Sequence, residues 1–179
     1  MKTNILIMKS ILQLTLAIIK PDVVRVPFVL QEIRETILQN GFYVIQSGEF
    51  TLSRQQAENF YSEHFGKFFH QRLVTFMNSG PIHAYILAHP KAIHQWRELM
   101  GPTKTFKAQF DAPSTIRGIW GLTDTRNSTH GSDSETTAFK EIKYFFPEFD
   151  YSQWVEKEEP LLRKGKCKID PFLFIHRCD

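Results

Sequence analysis

Several features that define common protein classes are scarce in this sequence. Its 179 residues include only two cysteines, Cys167 and Cys178, which form no CxxC pair. A disulfide framework or a zinc site is therefore not expected, and a reducing compartment is the default. The longest uncharged run near the N-terminus, Ser10 to Ile19, is ten residues long. A run of that length cannot span a bilayer, so the sequence predicts no membrane span.

A strong excess of one charge is also missing. The chain has 22 lysines and arginines against 19 aspartates and glutamates, which gives a formal net charge of +3. Proteins that bind nucleic acid through bulk charge are more basic than this. Nucleic acid is therefore not an expected partner, and any binding of anions must come from local clusters of side chains.

The glycine-rich and catalytic motifs of many enzyme families are absent. The sequence contains no GxxxxGK[ST] loop, no GxGxxG after a strand, no GxSxG elbow and no HExxH. If the protein binds phosphates, it must do so with side chains rather than with a glycine-rich loop.

The segments that are present predict the fold class. Strands are predicted at residues 15–19, 42–52 and 82–88, with helices between them. Ser53 and Gln56 form a capping-box signature, and Asp133 or Ser134 is expected to cap a later helix. Residues 101–129 are rich in Gly, Pro, Thr and Asp and are predicted to be mostly loop. This order indicates an α/β sandwich of the split βαβ type.

The composition changes after Phe149. An acidic run at 156–159 is followed by a basic run at 163–168. We expect these runs to form a solvated surface, with a partner-binding tail as the alternative. The predicted organisation is an N-terminal extension at 1–13, a domain at 14–149 and a C-terminal extension at 150–179.

The run Asn127 to Ser134 (NSTHGSDS) is the most informative part of the sequence. Gly131 leaves room for a ligand beside the ring of His130, and the polar residues that follow begin a helix, whose N-terminus favours anions. Glu141 lies eight residues beyond Asp133 on that helix. A neutral imidazole can attack phosphorus when a carboxylate holds its second nitrogen as an N–H donor. Taken alone, such a histidine is also typical of a turn or a helix cap.

Other short motifs precede this run in a fixed order. They are Lys20-Pro21-Asp22, Ser79-Gly80-Pro81, Arg97 ahead of Gly101 and Thr103, and Thr115-Ile116-Arg117-Gly118. The ordered set resembles the nucleoside diphosphate kinase family from about Leu14 to Phe149. The sequences of residues 122–134 (LTDTRNSTHGSDS) and 154–163 (WVEKEEPLLR) are similar to those of the sixth type within that family.

The resemblance implies a ferredoxin-like fold, with a four-stranded antiparallel sheet and helices packed on it. It also implies a ping-pong enzyme that moves the terminal phosphate of ATP or another nucleoside triphosphate to a nucleoside diphosphate. His130 matches the nucleophile that becomes phosphohistidine, and Ser132 and Glu141 match the residues that orient it. The positions that match nucleotide-binding residues are Lys20, Tyr61, Phe69, Leu73, Arg97, Thr103, Arg117 and Asn127. Magnesium, held largely by the nucleotide rather than by a protein metal site, is the implied cofactor.

Some positions depart from the family pattern. Val23 follows Lys-Pro-Asp where the family usually has glycine, and Pro27 replaces a small residue. The segment from Thr103 to Arg117 is longer than in hexameric relatives, where it contributes to subunit contacts, so the oligomeric state is open. Asp124 stands where many relatives place an apolar residue opposite the base, and we expect its carboxylate to turn to solvent.

Two readings of the function follow. The first is an active phosphotransferase, because the nucleophile, its carboxylate partner and the phosphate-binding cations are all present. The alternative is a weakly active or inactive nucleotide-binding module that regulates through a protein partner. The N-terminal extension lacks acidic residues and contains Lys2 and Lys9, which is compatible with a mitochondrial presequence. From this segment and from the resemblance to the sixth type we expect a mitochondrial matrix location, with the cytoplasm as the alternative.

Overall fold

The computed structural model describes residues 11–178, so most of the segment behind the mitochondrial prediction lies outside it. Within this range the strands are β1 (Gln13–Ile19), β2 (Tyr43–Phe50), β3 (Ile82–His89), β4 (Thr129–Gly131), β5 (Cys167–Asp170) and β6 (Ile175–Cys178). The helices are α1 (Pro21–Val24), α2 (Pro27–Gln39), α3 (Arg54–Phe60), α4 (His70–Met77), α5 (Ala92–Met100), α6 (Thr105–Asp111), α7 (Ile116–Trp120), α8 (Glu135–Phe145), α9 (Tyr151–Lys157) and α10 (Glu159–Arg163). None of these helices is long and apolar enough to cross a membrane.

Four of the strands form one antiparallel sheet in the order β2-β3-β1-β4. β1 is central, and its residue Ile18 lies opposite Ala84 of β3 and His130 of β4. All residues of β1 after Gln13 are buried, as expected for a strand that is covered on both faces. The predicted ferredoxin-like fold with a four-stranded antiparallel sheet is confirmed.

The two faces of the sheet build two separate cores. Leu16 and Ile18 of β1 pack in a cluster that includes Ile142 of α8, whereas Ala17 and Ile19 pack in the opposite cluster. This division follows from the strand period of two, which sends successive side chains to opposite faces. Burial of each large aliphatic side chain contributes roughly 1.5–3 kcal/mol. β1 is therefore packed firmly on both faces, and it supports the neighbouring strand β4, which carries His130.

Local capping fixes the starts of two helices as the sequence predicted. The Ser53 hydroxyl accepts a hydrogen bond from the Gln56 N–H at 3.2 Å, and the Gln56 side chain accepts one from the Ser53 N–H at 2.8 Å. This is the predicted capping box at α3. Of the two candidate caps for α8, the structure selects Ser134, whose hydroxyl accepts from the Thr137 N–H at 3.2 Å.

The prediction that residues 101–129 are mostly loop was wrong over α6 and α7. The Thr115 hydroxyl caps α7 by accepting from the Gly118 N–H. The start of α6 has no local side-chain cap. Instead the Thr105 N–H donates to the carboxylate of Asp124, 19 residues further along the chain. Because the capping residue is so distant in the sequence, the residues around Thr105 give no local signal that a helix begins there.

The C-terminal extension is part of the folded protein. Most residues of its two charge runs are solvated, as expected, but Glu159 is buried. The Glu159 carboxylate accepts from the Leu12 N–H at 2.9 Å and from Arg163 Nε at 2.7 Å. Trp154 packs in the core that contains Leu16 and Ile18, and Phe174 packs in the core on the opposite face. The extension therefore holds the beginning of β1 and contributes to both faces of the sheet.

The cysteine prediction was also wrong. Cys167 and Cys178 lie opposite each other in the antiparallel hairpin β5–β6 and form a disulfide. They are 11 residues apart in the sequence, and only the hairpin brings them together. The inference of a reducing compartment, which assumed unpaired cysteines, loses its support.

Candidate active site

The backbone at His130 is fixed by a close contact with α5. Gly131 lies against the indole ring of Trp96, and a Cβ atom at Gly131 would collide with that ring. The Trp96 Nε1–H donates to the His130 carbonyl at 3.1 Å. Glycine is therefore required after the histidine because the tryptophan must approach the strand this closely.

The imidazole of His130 is held by a carboxylate from α8. His130 Nε2 lies 2.9 Å from Glu141 Oε1, and the Ser132 hydroxyl donates to Glu141 Oε2 at 2.6 Å. Ser132 is itself fixed, because its hydroxyl accepts from the Leu16 N–H of β1 at 3.2 Å. With the carboxylate as acceptor, Nε2 carries the proton of the neutral ring and Nδ1 keeps its lone pair. The arrangement provides an oriented nitrogen nucleophile.

Aromatic side chains surround this imidazole. The rings of Phe60 and Tyr61 meet it edge-on, with centroids 5.3 and 5.9 Å away. Burial raises the pKa of Tyr61, so its hydroxyl stays protonated. That buried hydroxyl has no hydrogen-bond partner among the described residues. It therefore has an unused donor at the wall of the cavity, beside the histidine.

Lys20 is a buried lysine that directly follows β1. Its ammonium donates to Asn127 Oδ1 at 2.6 Å and to the Thr125 carbonyl at 3.4 Å. Burial, together with the positive charge of Arg117, lowers the pKa of Lys20 to about 7, although the carboxylate of Asp22 opposes the shift. An arriving anion would favour the charged form of this lysine.

The two arginines of the site are held differently. Arg117 is buried and donates to the carbonyls of Gly101, Asn127 and Thr129 at 2.8 to 3.3 Å. Burial, followed by the charge of Arg97, lowers the pKa of Arg117 to about 10, so it remains cationic at neutral pH. Arg97 is exposed and makes no ion pair among the described residues. Arg117 is thus a fixed charge, whereas Arg97 is available to a ligand.

These side chains line one cavity of about 550 Å³, a size typical of small-molecule sites. The structure brings to it all the residues that the sequence singled out except Ser132, which lies behind Glu141. Those lining it are Lys20, Tyr61, Phe69, Leu73, Arg97, Thr103, Arg117, Asn127, His130 and Glu141. The cavity therefore combines a histidine, several cations and an aromatic face.

The sequence motifs did not predict every residue of the cavity, and they predicted the role of Asp124 only in part. Arg72 and His64 also line the cavity, and neither belongs to the motifs that pointed to the site. Asp124 is exposed, as expected, but its carboxylate is not free: Oδ1 accepts from the Thr105 N–H at 3.0 Å. Its role in holding α6 corrects the expectation that this carboxylate simply turns to solvent.

Comparison with known proteins identifies the family to which this arrangement belongs. The model of the nucleoside diphosphate kinase family matches residues 13–151. The chain belongs to the nucleoside diphosphate kinase family. The resemblance to the sixth type is confirmed by nucleoside diphosphate kinase 6 of Mus musculus, 52% identical over 174 residues, which cover 97% of this chain and 92% of the relative. The Homo sapiens protein of that name is 53% identical, covering 92% of this chain and 89% of the relative.

More distant members of the nucleoside diphosphate kinase family match about three quarters of the chain. Nucleoside diphosphate kinase homolog 5 of Homo sapiens is 45% identical over 134 residues, 75% of this chain and 62% of that protein. The crystal structure of the Aquifex aeolicus nucleoside diphosphate kinase has a TM-score of 0.72 and 36% identity, covering 75% of this chain and 95% of that one. The fold of these kinases is therefore shared.

Proposed function

We propose that this protein is an active nucleoside diphosphate kinase that works through a phosphohistidine at His130. The observation that carries the proposal is the contact of His130 Nε2 with the carboxylate of Glu141, at the wall of a cavity that also contains Lys20, Arg97 and Arg117. Phosphoryl transfer depends mainly on positioning and on neutralising charge, and this cavity has groups suited to both.

The chemical step uses the free nitrogen of His130. The lone pair of Nδ1 forms a bond to the terminal phosphorus of a nucleoside triphosphate. The bond from that phosphorus to the bridging oxygen breaks, and its electron pair leaves with the nucleoside diphosphate. No proton has to leave Nδ1, and the positive charge gained by the ring is balanced by Glu141. In the second half of the reaction a terminal phosphate oxygen of another nucleoside diphosphate attacks the phosphorus. The bond from phosphorus to Nδ1 breaks, and its electron pair returns to Nδ1.

The cations and hydroxyls have separate tasks in this proposal. Arg97 forms a two-point contact with phosphate oxygens, and Lys20 adds a compact charge deeper in the cavity. Arg117, held by three carbonyls, contributes a fixed positive potential. The Tyr61 hydroxyl donates to a phosphate oxygen, which satisfies its unused donor. Phe69 and Leu73 supply the apolar surface on which the base stacks.

Magnesium fits this site as a partner of the nucleotide. No cluster of three or more metal-binding side chains occurs in the described part of the chain. The cavity does contain the carboxylate of Asp133, whose pKa is lowered mainly by a hydrogen bond from Thr137. Mg²⁺ commonly binds through one carboxylate, waters and substrate phosphates, and when bound it would neutralise phosphate charge.

A second role through a protein partner is favoured by one surface. Phe106 and Phe110 of α6 are each about four-fifths exposed, and Leu122 is about two-thirds exposed. Phe106 and Phe110 lie four residues apart on one side of α6, and Phe106 and Leu122 line the same shallow pocket. Exposed apolar side chains grouped in this way are typical of interaction sites. This surface is compatible with regulation by a partner, and it lies outside the contacts of His130 described above.

The proposed function is tested with ATP labelled in its terminal phosphate. We expect the protein to acquire label that is lost in acid, and His130→Ala to acquire none. His94→Ala is the matched control, because His94 is exposed and outside the cavity. Label that persists in His130→Ala, or that survives acid, contradicts a phosphohistidine.

A further inference from the structure

Arg72 lines the cavity beside Phe69. Phe69 stands at the start of α4, and Arg72 and Leu73 follow it by three and four residues. Residues at this spacing share one side of a helix, and all three line the cavity. A guanidinium is therefore placed beside the surface on which the base stacks in the proposed function.

The guanidinium of Arg72 is anchored without being neutralised. Its Nε donates to the Thr125 hydroxyl at 2.9 Å, and Thr125 is buried. Nη1 and Nη2 have no hydrogen-bond partner among the described residues, and within residues 11–178 no ion pair joins Arg72 to Asp124. Asp124 instead accepts from the Thr105 N–H. Arg72 thus has two donor groups free beside Phe69 and Leu73, where the base stacks in the proposed function.

These donors favour one class of base. Guanine presents two acceptors, O6 and N7, on the edge that a guanidinium can bind at two points. Adenine replaces O6 by a donor amino group, and cytosine likewise presents a donor at its N4. We propose that Arg72 makes the site selective for nucleotides with a 6-oxopurine base, guanine or hypoxanthine. This inference rests on the proposed function and specifies its substrate class.

A purely structural role for Arg72 predicts something different. If its only task is to tie α4 to the turn at Thr125, its loss would weaken the binding of all nucleotides equally. A role in selecting the base predicts a loss confined to guanosine and inosine nucleotides. The ratio of affinities between bases therefore separates the two roles.

The test is calorimetric titration of the unphosphorylated protein with GDP, IDP, ADP and CDP. We expect GDP and IDP to bind about tenfold more tightly than ADP or CDP, the low end for a two-point contact at an exposed side chain. In Arg72→Gln the affinity for GDP should fall to that for ADP, while the affinity for ADP stays unchanged. Arg126→Gln is the matched control, because Arg126 lies on the same turn with its guanidinium over Phe76, outside the cavity.

Two results would overturn the inference. One is equal affinity of the unmodified protein for GDP and ADP, and the other is an Arg72→Gln variant that weakens all four ligands alike. If Arg72→Gln does not fold, Arg72→Lys takes its place, since it keeps the charge but not the planar fork and should still lose the preference. Labelling of His130 is measured separately. Normal labelling without a base preference refutes only this inference, whereas absent labelling refutes the proposed function.

Discussion

Ser128 is held in a left-handed conformation by Asp22. Its φ is +70°, and its N–H donates to Asp22 Oδ2 at 3.1 Å across 106 residues of sequence. A non-glycine residue with positive φ is strained and persists only when its surroundings fix it. This contact connects the motif at the end of β1 to the segment that leads into His130.

Removing that contact should loosen the segment before the histidine. We expect Asp22→Ala to lower the free energy of unfolding by about 1–3 kcal/mol, because a buried N–H loses a charged acceptor. The rate of histidine labelling should also fall. Urea unfolding and labelling by ATP measure the two effects. Asp22→Asn keeps an acceptor oxygen and should show a smaller loss, and an Asp22→Ala protein as stable as the unmodified one contradicts the argument.

Glu141 should matter for the rate more than for binding. We expect Glu141→Gln to slow formation of the labelled protein by roughly 100-fold, because the neutral amide neither orients the ring as firmly nor balances its charge. ADP affinity should stay within about twofold, since the phosphate-binding cations are unchanged. Rapid-quench labelling and calorimetry measure the two quantities. Unchanged labelling would show that Glu141 is not needed.

Nucleotide affinity should depend on pH through Lys20. Its pKa of about 7 means that the lysine is mostly neutral at pH 8, so binding of a phosphate at that pH takes up a proton. Affinity for ADP should therefore fall as the pH rises from 7 to 8.5, by up to about tenfold per unit. Calorimetry in buffers of different ionisation enthalpy detects the proton uptake. Lys20→Met should bind more weakly and lose this dependence, and an unmodified protein without proton uptake at pH 8 contradicts it.

Asp124→Val should have two opposed effects. Valine adds apolar surface beside the base and should tighten ADP binding by up to about tenfold. It also removes the acceptor for the Thr105 N–H at the start of α6, which should lower the free energy of unfolding by about 1 kcal/mol. Asp124→Asn is the control, since it keeps an acceptor without adding apolar surface. ADP binding no tighter in the valine variant would remove Asp124 from the account of affinity.

The C-terminal hairpin should limit self-association. β2 is an outer strand of the sheet, and its Val44 N–H donates to His176 of β6 at 2.9 Å. An uncovered outer strand tends to pair with another chain. We expect the full protein to be a monomer or dimer, or part of a hetero-complex, and a chain lacking residues 164–179 to self-associate. Light scattering at micromolar concentration measures both, and a stable hexamer of the full protein contradicts this.

The parts of the structure that depend on neighbouring residues were predictable. The capping box of Ser53 and Gln56 and the strand at β1 follow from periodicity and local hydrogen bonding. The grouping of His130 with Glu141 was expected from the helix that follows the histidine and from the family motif. These features involve short sequence distances or a motif with a fixed order.

The features that the sequence did not predict depend on contacts between distant segments. Arg72 meets Thr125 across 53 residues, and Asp124 meets Thr105 across 19. The disulfide likewise requires a hairpin that the charge pattern of the tail does not indicate. Residue type and spacing identify what a side chain is able to bind, but the folded chain decides which partner it meets.

The contact of Glu159 with Leu12 has a consequence for synthesis of the protein on the ribosome. Leu12 is synthesised 147 residues before Glu159, whose carboxylate accepts its N–H. Until the C-terminal extension is made, the beginning of β1 lacks this hydrogen bond, and the two cores lack Trp154 and Phe174. Domains that fold during synthesis do so from the N-terminus. In this chain the hydrogen bond at Leu12 can form only after Glu159 has left the ribosome, so a chain truncated before Glu159 lacks it.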